Sequence, residues 1–350
     1  MGFLRGNHQQ ALGIDIGSSA VKVLEMSTSG SGYRADRAGL EPLPKKAVVE
    51  QGIGDLAATS EAVRRAVLHS RSSRKNAIVA VSQTHVITRM LTLPAGLSDG
   101  EVEEQVMIEA SQQIPHPLDE IYVDFGVSGK GRNEDQDQIT ITACRREIVD
   151  DYVAVLELAG LTPTIVDISM YAVQRGYGFI AETLGENLDD RAIALIDFGD
   201  VTTRLDLFVD GRSVYGREQN FGGRILTENI RSRYGLDYEQ AEAMKRTGEL
   251  PQNFENDILN PFRDSMAREA MRALELCLSA RQGRFVDAVL LCGGCALIPD
   301  VAHLITSQIG IPTIIADPFA SGGSIKASKA VQSYGTLMTK AVGLAVRGAK

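Results

Sequence analysis

Two aspartates in this chain stand near the ends of apolar strands, and a turn that contains glycine follows each of them. Asp15 precedes a turn at residues 17–19, and Asp197 precedes Gly199. Such turns expose consecutive backbone N–H groups that attract phosphate oxygens, and an adjacent carboxylate can hold a magnesium ion through water. The pattern therefore indicates phosphate and metal chemistry. An ordinary hairpin whose carboxylate caps the strand end has the same residue pattern, so both interpretations stay open here.

Further residues around these turns suit the same chemistry. Lys22, on the strand after the first turn, could neutralise phosphate charge, and Thr202 and Thr203 lead into the strand after the second turn. A third segment is a buried apolar strand that ends in Gly293-Gly294 and is followed by a predicted helix start. Glycines let the backbone pass close to a ligand, although a tight turn requires the same geometry.

Length and charge limit the classes of function. A chain of 350 residues is expected to form about two domains, since ~150 residues is a usual domain size. The net charge of −9, without a long basic run, argues against nucleic acid as a partner. The sequence has neither the ~18 consecutive apolar residues of a spanning helix nor a signal-peptide core. We therefore expect a cytoplasmic protein without direct membrane insertion.

The four cysteines lie in apolar or helical surroundings, which is typical of reduced core thiols. Cys292 and Cys295 form a Cys-x-x-Cys pair. Zinc binding would call for a second pair, and redox chemistry would call for a thioredoxin-like context. We interpret the pair as packing.

The remaining pattern predicts the elements that position these residues. Residues 85–163 read as strand, helix, strand, strand and helix, with a capping box from Ser98 to Glu101. Asn260 and Pro261 suit the N-cap and first position of a long helix that ends near residue 281. A final helix is predicted over residues 332–346, and residues 1–10 are expected to be a short disordered lead.

In this order, the two hairpins and the strand–Gly–Gly–helix segment resemble the phosphate 1, phosphate 2 and adenosine motifs of the actin-like ATPase superfamily. That superfamily includes actin, sugar kinases, DnaK-type chaperones, MreB and FtsA. The resemblance implies an α/β fold of two ribonuclease H-like domains, with ATP and Mg2+ gripped by hairpins from both. Asp15 and Asp197 match the aspartates that would face the metal through water. The implied nucleotide-binding residues are Asp15, Gly17, Ser18, Ser19, Lys22, Asp197, Gly199, Thr202, Thr203, Gly222, Gly223, Glu242, Lys245, Gly293 and Gly294.

Two of these pairs rest on a resemblance to MreB and FtsA. Gly222-Gly223, before a predicted helix, resembles a Gly-Gly used there against ribose and phosphate. Glu242 and Lys245 resemble an Ala-Glu-x-x-Lys helix that touches ribose and adenine. At i and i+3 they share one helix face, so a solvated ion pair is the alternative interpretation.

The sequence also departs from the superfamily pattern. Asp200 and Val201 stand where FtsA-like sequences have glycines, which crowds the phosphate turn and adds negative charge. The water-orienting Glu or Gln of active members has no clear counterpart, and Asp167 is the nearest catalytic candidate, one residue out of register. We therefore expect ATP binding, with hydrolysis weak or absent.

The resemblance implies four subdomains, with an insert in the first half. The expected division is 1–84 with 164–190 and 330–350 as subdomain IA, 85–163 as the inserted α/β subdomain IC, 191–230 with 286–329 as IIA, and 231–285 as IIB.

The position of the insert resembles FtsA and the PilM family of type IV pilus assembly proteins. Segments around residues 13–22, 41–44, 110–115, 221–223, 317–319 and 342–348 look like PilM. FtsA usually ends in an amphipathic membrane-binding helix, which is not seen here after the last predicted helix. That difference favours PilM.

The PilM resemblance implies a cytoplasmic ATP-binding scaffold, peripherally associated with the inner membrane through its partner. Such proteins bind the cytoplasmic N-terminal peptide of PilN and connect the PilN–PilO–PilP complex to the pilus motor ATPases. The residues expected to line the peptide groove are Val86, Thr88, Val102 and Val106, although they could equally form the insert's own core.

Two other functions fit the same fold. One is an FtsA-like cytoskeletal ATPase that polymerises, and the other is an active ATPase or small-molecule kinase. A homodimer or larger oligomer also stays open.

Overall fold

The computed structural model describes residues 3, 10–50, 52–131, 133–184, 191–248, 251–280 and 285–349. Most of the predicted lead at residues 1–10, and residues 185–190 beside the expected 190/191 boundary, lie outside this part. Across the described ranges, no helix combines the length and the apolar character that crossing a membrane requires.

The strands of the described chain are numbered in order: β1 (Leu12–Ile16), β2 (Ala20–Ser29), β3 (Gly32–Pro42), β4 (Val48–Val49), β5 (Gly52–Ile53), β6 (Asn76–Val81), β7 (Val86–Pro94), β8 (Ile121–Lys130), β9 (Gln136–Arg145), β10 (Thr162–Ile168), β11 (Ala192–Phe198), β12 (Thr203–Val209), β13 (Arg212–Gln219), β14 (Ala288–Cys292), β15 (Thr313–Ile315) and β16 (Ile325–Ala327).

The α-helices are α1 (Leu56–Ser70), α2 (Asp99–Gln113), α3 (Arg146–Leu158), α4 (Ser169–Thr183), α5 (Gly223–Tyr234), α6 (Tyr238–Thr247), α7 (Asn260–Ala280), α8 (Val301–Ile309), α9 (Lys329–Gln332) and α10 (Thr339–Arg347). The chain divides into two compact units: the first is Met1–Gly176 with Lys340–Lys350, and the second is Tyr177–Thr339.

The first unit is built on a mixed sheet. Its strands run in the order β10-β6-β1-β2-β3, with β10, β6 and β1 parallel and the β1-β2-β3 pairs antiparallel. Alternate residues of a strand point to opposite faces. Leu12, Ile14 and Ile16 of β1 accordingly pack in the core with α1 and α3, whereas Ala11 and Ile78 pack with α4 and α10 on the other face.

Residues 85–163 have the predicted order of strand, helix, strand, strand and helix. Strands β7, β9 and β8 form an antiparallel sheet with β9 in the middle. The capping box is confirmed, since the backbone N–H of Ser98 donates to Glu101 at 2.8 Å and the N–H of Glu101 donates to the Ser98 hydroxyl. Burial of Val106 and Ala110 against the sheet fixes α2 on it.

The second unit contains a sheet of order β13-β12-β11-β14-β15, in which β11, β14 and β15 are parallel. One large apolar core includes residues of β11, β12, α5, α7 and α8. The parallel pairing brings the ends of β11 and β14 to one edge of the sheet, where Asp197 pairs with Cys292. Two of the sequence motifs therefore end side by side.

The predicted helix boundaries were wrong at two places. Asn260 is not an N-cap: its backbone is helical, at φ −62° and ψ −46°, and a π-helical turn at Glu255–Leu259 precedes it. The helical turn extends upstream because Phe254 and Ile258 are buried in the same core as Phe262.

The predicted final helix is interrupted. Helix α9 and helix α10 are separated by a 3-10 turn at Gly335–Leu337. At this break, the carbonyl of Thr336 accepts the N–H of Gly293 at 3.1 Å, and a Cβ on Gly335 would lie 2.1 Å from a carboxylate oxygen of Asp317. These tertiary contacts need a backbone that leaves the helix.

The packing of α10 against α4 can be tested at Gly343 of α10. A Cβ at this position would lie 1.8 Å from the carbonyl oxygen of Ala172 on α4, whereas a Cβ on Gly178, also on α4, would meet nothing within 4 Å. We expect Gly343→Ala to lower the free energy of unfolding by about 3 kcal/mol. Gly178→Ala should raise it by roughly 0.5–1 kcal/mol, because alanine favours the helix. Denaturant unfolding of both variants tests this, and equal stabilities would contradict the packing.

Candidate functional site

The first hairpin has a turn that is closed by backbone bonding. The N–H of Gly17 donates to the carbonyl of Ala20 at 3.0 Å, and the N–H of Leu43 donates to the carbonyl of Ser19 at 2.8 Å. Ser18 is half-buried and Ser19 is exposed. The turn is therefore held in place while its outer serine faces solvent.

Asp15 lies at the centre of a charged cluster beside this turn. It pairs across the hairpin with Lys22, whose ammonium group donates to one carboxylate oxygen at 2.8 Å. The ammonium group of Lys340 lies 3.2 Å from the other oxygen. Burial would raise the pKa of Asp15, but Lys22 and Lys340 outweigh it and hold the pKa far below its ordinary value. The two lysines therefore favour the ionised form of Asp15.

Helix α10 carries Lys340 to this cluster. A Cβ on Gly13 of β1 would lie 2.4 Å from the backbone nitrogen of Ala345 and 2.5 Å from the carbonyl oxygen of Ala341, so only glycine allows the helix to lie this close. The helix runs antiparallel to β1, because the N–H of Ala11 donates to the carbonyl of Gly348 at 3.0 Å. This direction sets Lys340 beside Asp15.

Asp167, the predicted catalytic carboxylate, anchors the other end of α10. It is 0% exposed; one oxygen accepts the N–H of Ile168 at 2.7 Å, and the other bonds to the guanidinium groups of Arg175 and, at 2.8 Å, Arg347. Both oxygens of Asp167 therefore accept hydrogen bonds. Burial lowers the pKa of Arg175, although the charge of Asp167 acts to raise it. This arrangement favours a structural role for Asp167 over the orientation of water.

The second hairpin repeats the geometry of the first. The N–H of Gly199 donates to the carbonyl of Thr202 at 3.0 Å, as Gly17 does to Ala20. Asp197 is half-buried and pairs with Arg204, as Asp15 pairs with Lys22. The guanidinium group of Arg204, however, donates to Asp206 at 2.6 and 2.7 Å.

Thr203 was predicted to bind nucleotide, but it is 2% exposed and its hydroxyl donates to the carbonyl of Phe221 at 2.8 Å. Its hydroxyl therefore holds the strand to the segment before α5. Thr202 contributes its carbonyl to the turn.

Gly293 and Gly294 lie next to the second hairpin. Gly293 has a positive φ of 86°, and a Cβ there would lie 2.3 Å from a carboxylate oxygen of Asp197. At Gly294, a Cβ would meet nothing within 4 Å. The first glycine is thus required by the fold, whereas the second borders open space.

The start of α5 is bonded to the same turn. The N–H groups of Gly223 and Arg224 donate to the carbonyls of Gly199 and Asp200 at 2.9 and 2.8 Å. A Cβ on Gly222 would lie 2.4 Å from the carbonyl oxygen of Asp200. These two helix N–H groups are therefore bonded to the turn.

The negative charge of Asp200 is compensated by a partner that the sequence analysis missed. Its carboxylate accepts bonds from the guanidinium group of Arg224 at 2.9 and 3.2 Å. The aspartate that replaces a glycine of the FtsA-like pattern thus ties the turn to α5.

Glu242 and Lys245 are joined through a third residue. The hydroxyl of Thr227 donates to Glu242 at 2.7 Å and accepts from Lys245 at 2.8 Å, and the two charged groups are 2.7 Å apart. Thr227 is 0% exposed, which fixes the ion pair against α5. The pair is thus anchored rather than freely solvated.

The cysteines confirm the packing interpretation. Cys144, Cys277, Cys292 and Cys295 are buried free thiols. Burial raises the pKa of Cys295 to about 12, which keeps the thiol protonated. Its sulfur lies 3.0 Å from the Cβ position of Gly223, so it packs between the second hairpin and α5.

The carboxylates differ in how well they suit a magnesium ion. Among the described residues, no group of three or more His, Cys, Asp or Glu could hold a metal. Each oxygen of Asp15 is in contact with one ammonium group, and its predicted role toward the metal stays a prediction. Asp197 is half-buried at a sheet edge beside glycine backbone, and a carboxylate is an oxygen ligand of the kind that Mg2+ takes.

The predicted groove residues occupy different environments. Val106 is 0% exposed in the core of residues 85–163, so it cannot line a groove in this structure. Val102 is partly buried in the same core. Val86 packs partly against the core of the first unit, and Thr88 is exposed.

Lys340, Thr227 and Arg224 were missed because each acts on a residue distant in sequence. The regularity that the sequence did offer is a basic residue opposite each aspartate, with Lys22 opposite Asp15 and Arg204 opposite Asp197.

Two solved structures resemble this chain over nearly its whole length. A chain of the PilM–PilN type IV pilus biogenesis complex superposes with a TM-score of 0.78 at 26% identity, covering 98% of this chain and 100% of that one. The ethanolamine utilization protein EutJ of Carboxydothermus hydrogenoformans shares the fold, with a TM-score of 0.55 at 12% identity over 96% of this chain and 89% of EutJ.

Sequence comparison adds a family and a distant relative. The family described as type IV pilus assembly protein PilM matches residues 13–349. The cell division protein FtsA of Bacillus subtilis is 22% identical over 263 residues, which are 69% of this chain and 58% of FtsA.

The fold is therefore the predicted actin-like ATPase fold, with paired aspartate hairpins. Within that class, the chain belongs to the PilM family of type IV pilus assembly proteins.

The charged cluster predicts a pH-dependent stability. The folded pKa of Asp15 lies below its unfolded value of about 4, so its ionisation stabilises the fold above that pH. The stabilisation decreases by about 1.4 kcal/mol for each pH unit below 4. We expect Asp15→Asn to unfold at a lower temperature than the wild type at pH 7, and the difference to narrow between about pH 4 and pH 2.5. Thermal unfolding followed by circular dichroism measures this, and a constant difference would contradict it.

Proposed function

We propose that this chain is a cytoplasmic, nucleotide-binding scaffold of the type IV pilus assembly machinery. In this proposal it binds the cytoplasmic N-terminal peptide of PilN and links the inner-membrane PilN–PilO–PilP complex to the motor. The observation that carries the proposal is the match, over 98% of this chain, to a chain of the PilM–PilN complex.

ATP is the nucleotide that we propose. In the second unit, the hairpin turn at Gly199, the start of α5 and the glycines after β14 lie in mutual contact. Open space beside Gly294 allows a planar or phosphate group to approach the backbone. Asp197 would hold Mg2+ through water, and the ion would offset phosphate charge.

We propose that ATP acts as a bound structural or switching ligand rather than a rapidly consumed substrate. Both oxygens of Asp167 are engaged by arginines and backbone, which removes the nearest candidate for orienting an attacking water. The Asp200–Arg224 bond also ties the second turn to α5 and so limits its movement.

Gly294 offers a direct test of the nucleotide site. Gly294→Val should fold normally, because a Cβ at this position meets nothing within 4 Å, but it should weaken ATP binding at least about tenfold by filling the space beside the backbone. Calorimetric titration with ATP and Mg2+ measures the affinity. Gly100→Val is the matched control, since a Cβ there also meets nothing within 4 Å and it lies on α2. Unchanged ATP affinity in Gly294→Val would contradict the assignment.

We place the PilN peptide along β7. This strand is at one end of the order β7-β9-β8, and an extended peptide can add to such an edge through backbone bonds. Exposed Thr88 and half-buried Val86 would contact peptide side chains.

Two arginine substitutions, on the strands at the two ends of the same sheet, test the position of the peptide. Thr88→Arg should reduce binding of a synthetic PilN N-terminal peptide at least about tenfold, because a bulky charge would oppose docking on β7. Val127→Arg, on β8 at the other end of the order, replaces a residue that is 67% exposed and should not change binding. Fluorescence anisotropy measures both. Loss of binding in Val127→Arg alone would move the peptide to β8, and no binding by the wild type would reject the partner.

A further inference from the structure

We propose that one edge of the first unit binds the surface of a lipid bilayer that contains anionic lipids. This surface, the basic edge, is formed by Leu68, Arg71, Lys75 and Leu158. It lies where the parallel strands β1, β6 and β10 begin, at the opposite end of β1 from the turn at residues 17–19. The inference goes beyond the proposed binding of nucleotide and of PilN, and it requires neither of them.

Two helices end at the basic edge. Helix α1 leads into β6 and helix α3 leads into β10, and these two strands are parallel neighbours. The C-terminal ends of both helices therefore lie where the strands begin. A backbone bond joins the two connections, because the N–H of Thr162, the first residue of β10, donates to the carbonyl of Lys75 at 2.8 Å.

Each of these helices exposes a leucine at this end. Leu68, in the last turn of α1, is 59% exposed, and Leu158, the last residue of α3, is 62% exposed. In contrast, Val63 of α1 and Val155 of α3 are fully buried in one shared core. Burial of an exposed leucine side chain is favourable, so two of them at one edge favour contact with an apolar phase.

Basic residues accompany the leucines. Residues 62–98 contain six basic residues and no Asp or Glu, within a chain whose net charge is −9. Two of the six, Arg71 and Lys75, are exposed in the connection between α1 and β6. Glu157 is an exposed acidic neighbour of Leu158, and the sum of these three charges is still positive. A local excess of positive charge attracts anions to this edge.

The connection that carries the two cations is held by the fold. Arg71 ends α1 in the left-handed conformation, and its N–H donates to the carbonyl of Leu68 at 3.0 Å. The carbonyl of Arg71 accepts a bond from the guanidinium group of Arg37. The guanidinium group of Arg74 donates to the carbonyl of Met26 at 2.8 Å. Because this backbone is already ordered, binding costs little further ordering.

A bilayer with anionic headgroups supplies both kinds of contact that the basic edge can make. Leucine side chains can enter the boundary between headgroups and acyl chains, while arginine and lysine stay at the headgroup phosphates. Nucleic acid would use the cations and leave the leucines in water. The proposed link to PilN would hold the chain near the inner membrane, where a weak lipid contact adds to the tether.

Vesicle flotation tests the proposal with the full-length protein, in the absence of nucleotide and PilN. One set of vesicles contains phosphatidylcholine and phosphatidylglycerol at about 2:1, and the other contains phosphatidylcholine alone. We expect the wild type to bind the anionic vesicles about tenfold or more tightly than the neutral ones. High salt should release it, because salt screens the attraction between exposed charges and the headgroups.

Neutralising the cations should weaken this binding. Arg71→Gln combined with Lys75→Gln is expected to bind the anionic vesicles about twentyfold more weakly, since each basic residue near such a surface contributes about fivefold. Arg212→Gln combined with Arg217→Gln is the matched control. It neutralises two exposed arginines of β13 in the second unit, changes the net charge equally and should bind like the wild type.

Shortening the leucines tests the apolar contact. Leu68→Ser combined with Leu158→Ser should weaken binding to the anionic vesicles about tenfold. Its unfolding temperature should match that of the wild type, because both side chains are exposed. The control is Val127→Ser combined with Val214→Ser, at positions that are 67% and 43% exposed, and it should bind as the wild type does.

The proposal is overturned if the wild type binds neither set of vesicles, or binds both sets equally well. It is also overturned if the leucine variant keeps the wild-type affinity, since the cations would then serve an anion other than a lipid surface. Equal losses in the control variants and the variants of the basic edge would overturn it as well. None of these outcomes bears on PilN or ATP, which the peptide and nucleotide titrations test separately.

Discussion

The close approach of α10 to β1 at Gly13 is the contact on which the arrangement of the first unit depends. A single added carbon at Gly13 would overlap the helix backbone, and one at Gly343 would overlap α4. With the helix fixed by these contacts, its two ends carry Lys340 to Asp15 and Arg347 to Asp167. Buried carboxylates need such partners, because an unpaired charge in a protein interior is costly.

The arrangement of the second unit depends on a different constraint: backbone N–H and carbonyl groups at one edge of its sheet must find hydrogen-bond partners. Parallel pairing of β11 and β14 brings Asp197 and Gly293 together, and the first N–H groups of α5 bond to the turn at residues 199–200. Because a helix start has N–H groups without intrahelical partners, the turn and the helix stabilise each other. Gly222 and Gly293 are required at this edge because backbone approaches backbone there.

Local pattern was sufficient for most elements of the fold. Both aspartate hairpins, the order of elements in residues 85–163 and the capping box of α2 were predicted, because alternation, turn residues and caps act over a few neighbouring residues. The prediction failed where a distant group intervenes. Asn260 lies inside a longer helical segment whose start is set by core burial, and the last helix is broken where Thr336 bonds to Gly293.

The candidate site divides in the same way between features that local sequence predicts and contacts between distant residues. The sequence by itself determined the aspartates at the strand ends, Lys22 after the first of them and the glycine positions, since each follows from residue type and spacing. Only the tertiary structure decided that Asp15 is held by Lys340, that Thr227 joins Glu242 to Lys245, that Arg224 neutralises Asp200, and that Thr203 and Val106 are buried. These contacts join segments far apart in the chain, and their geometry depends on how helices and strands pack. Local sequence does not encode that packing.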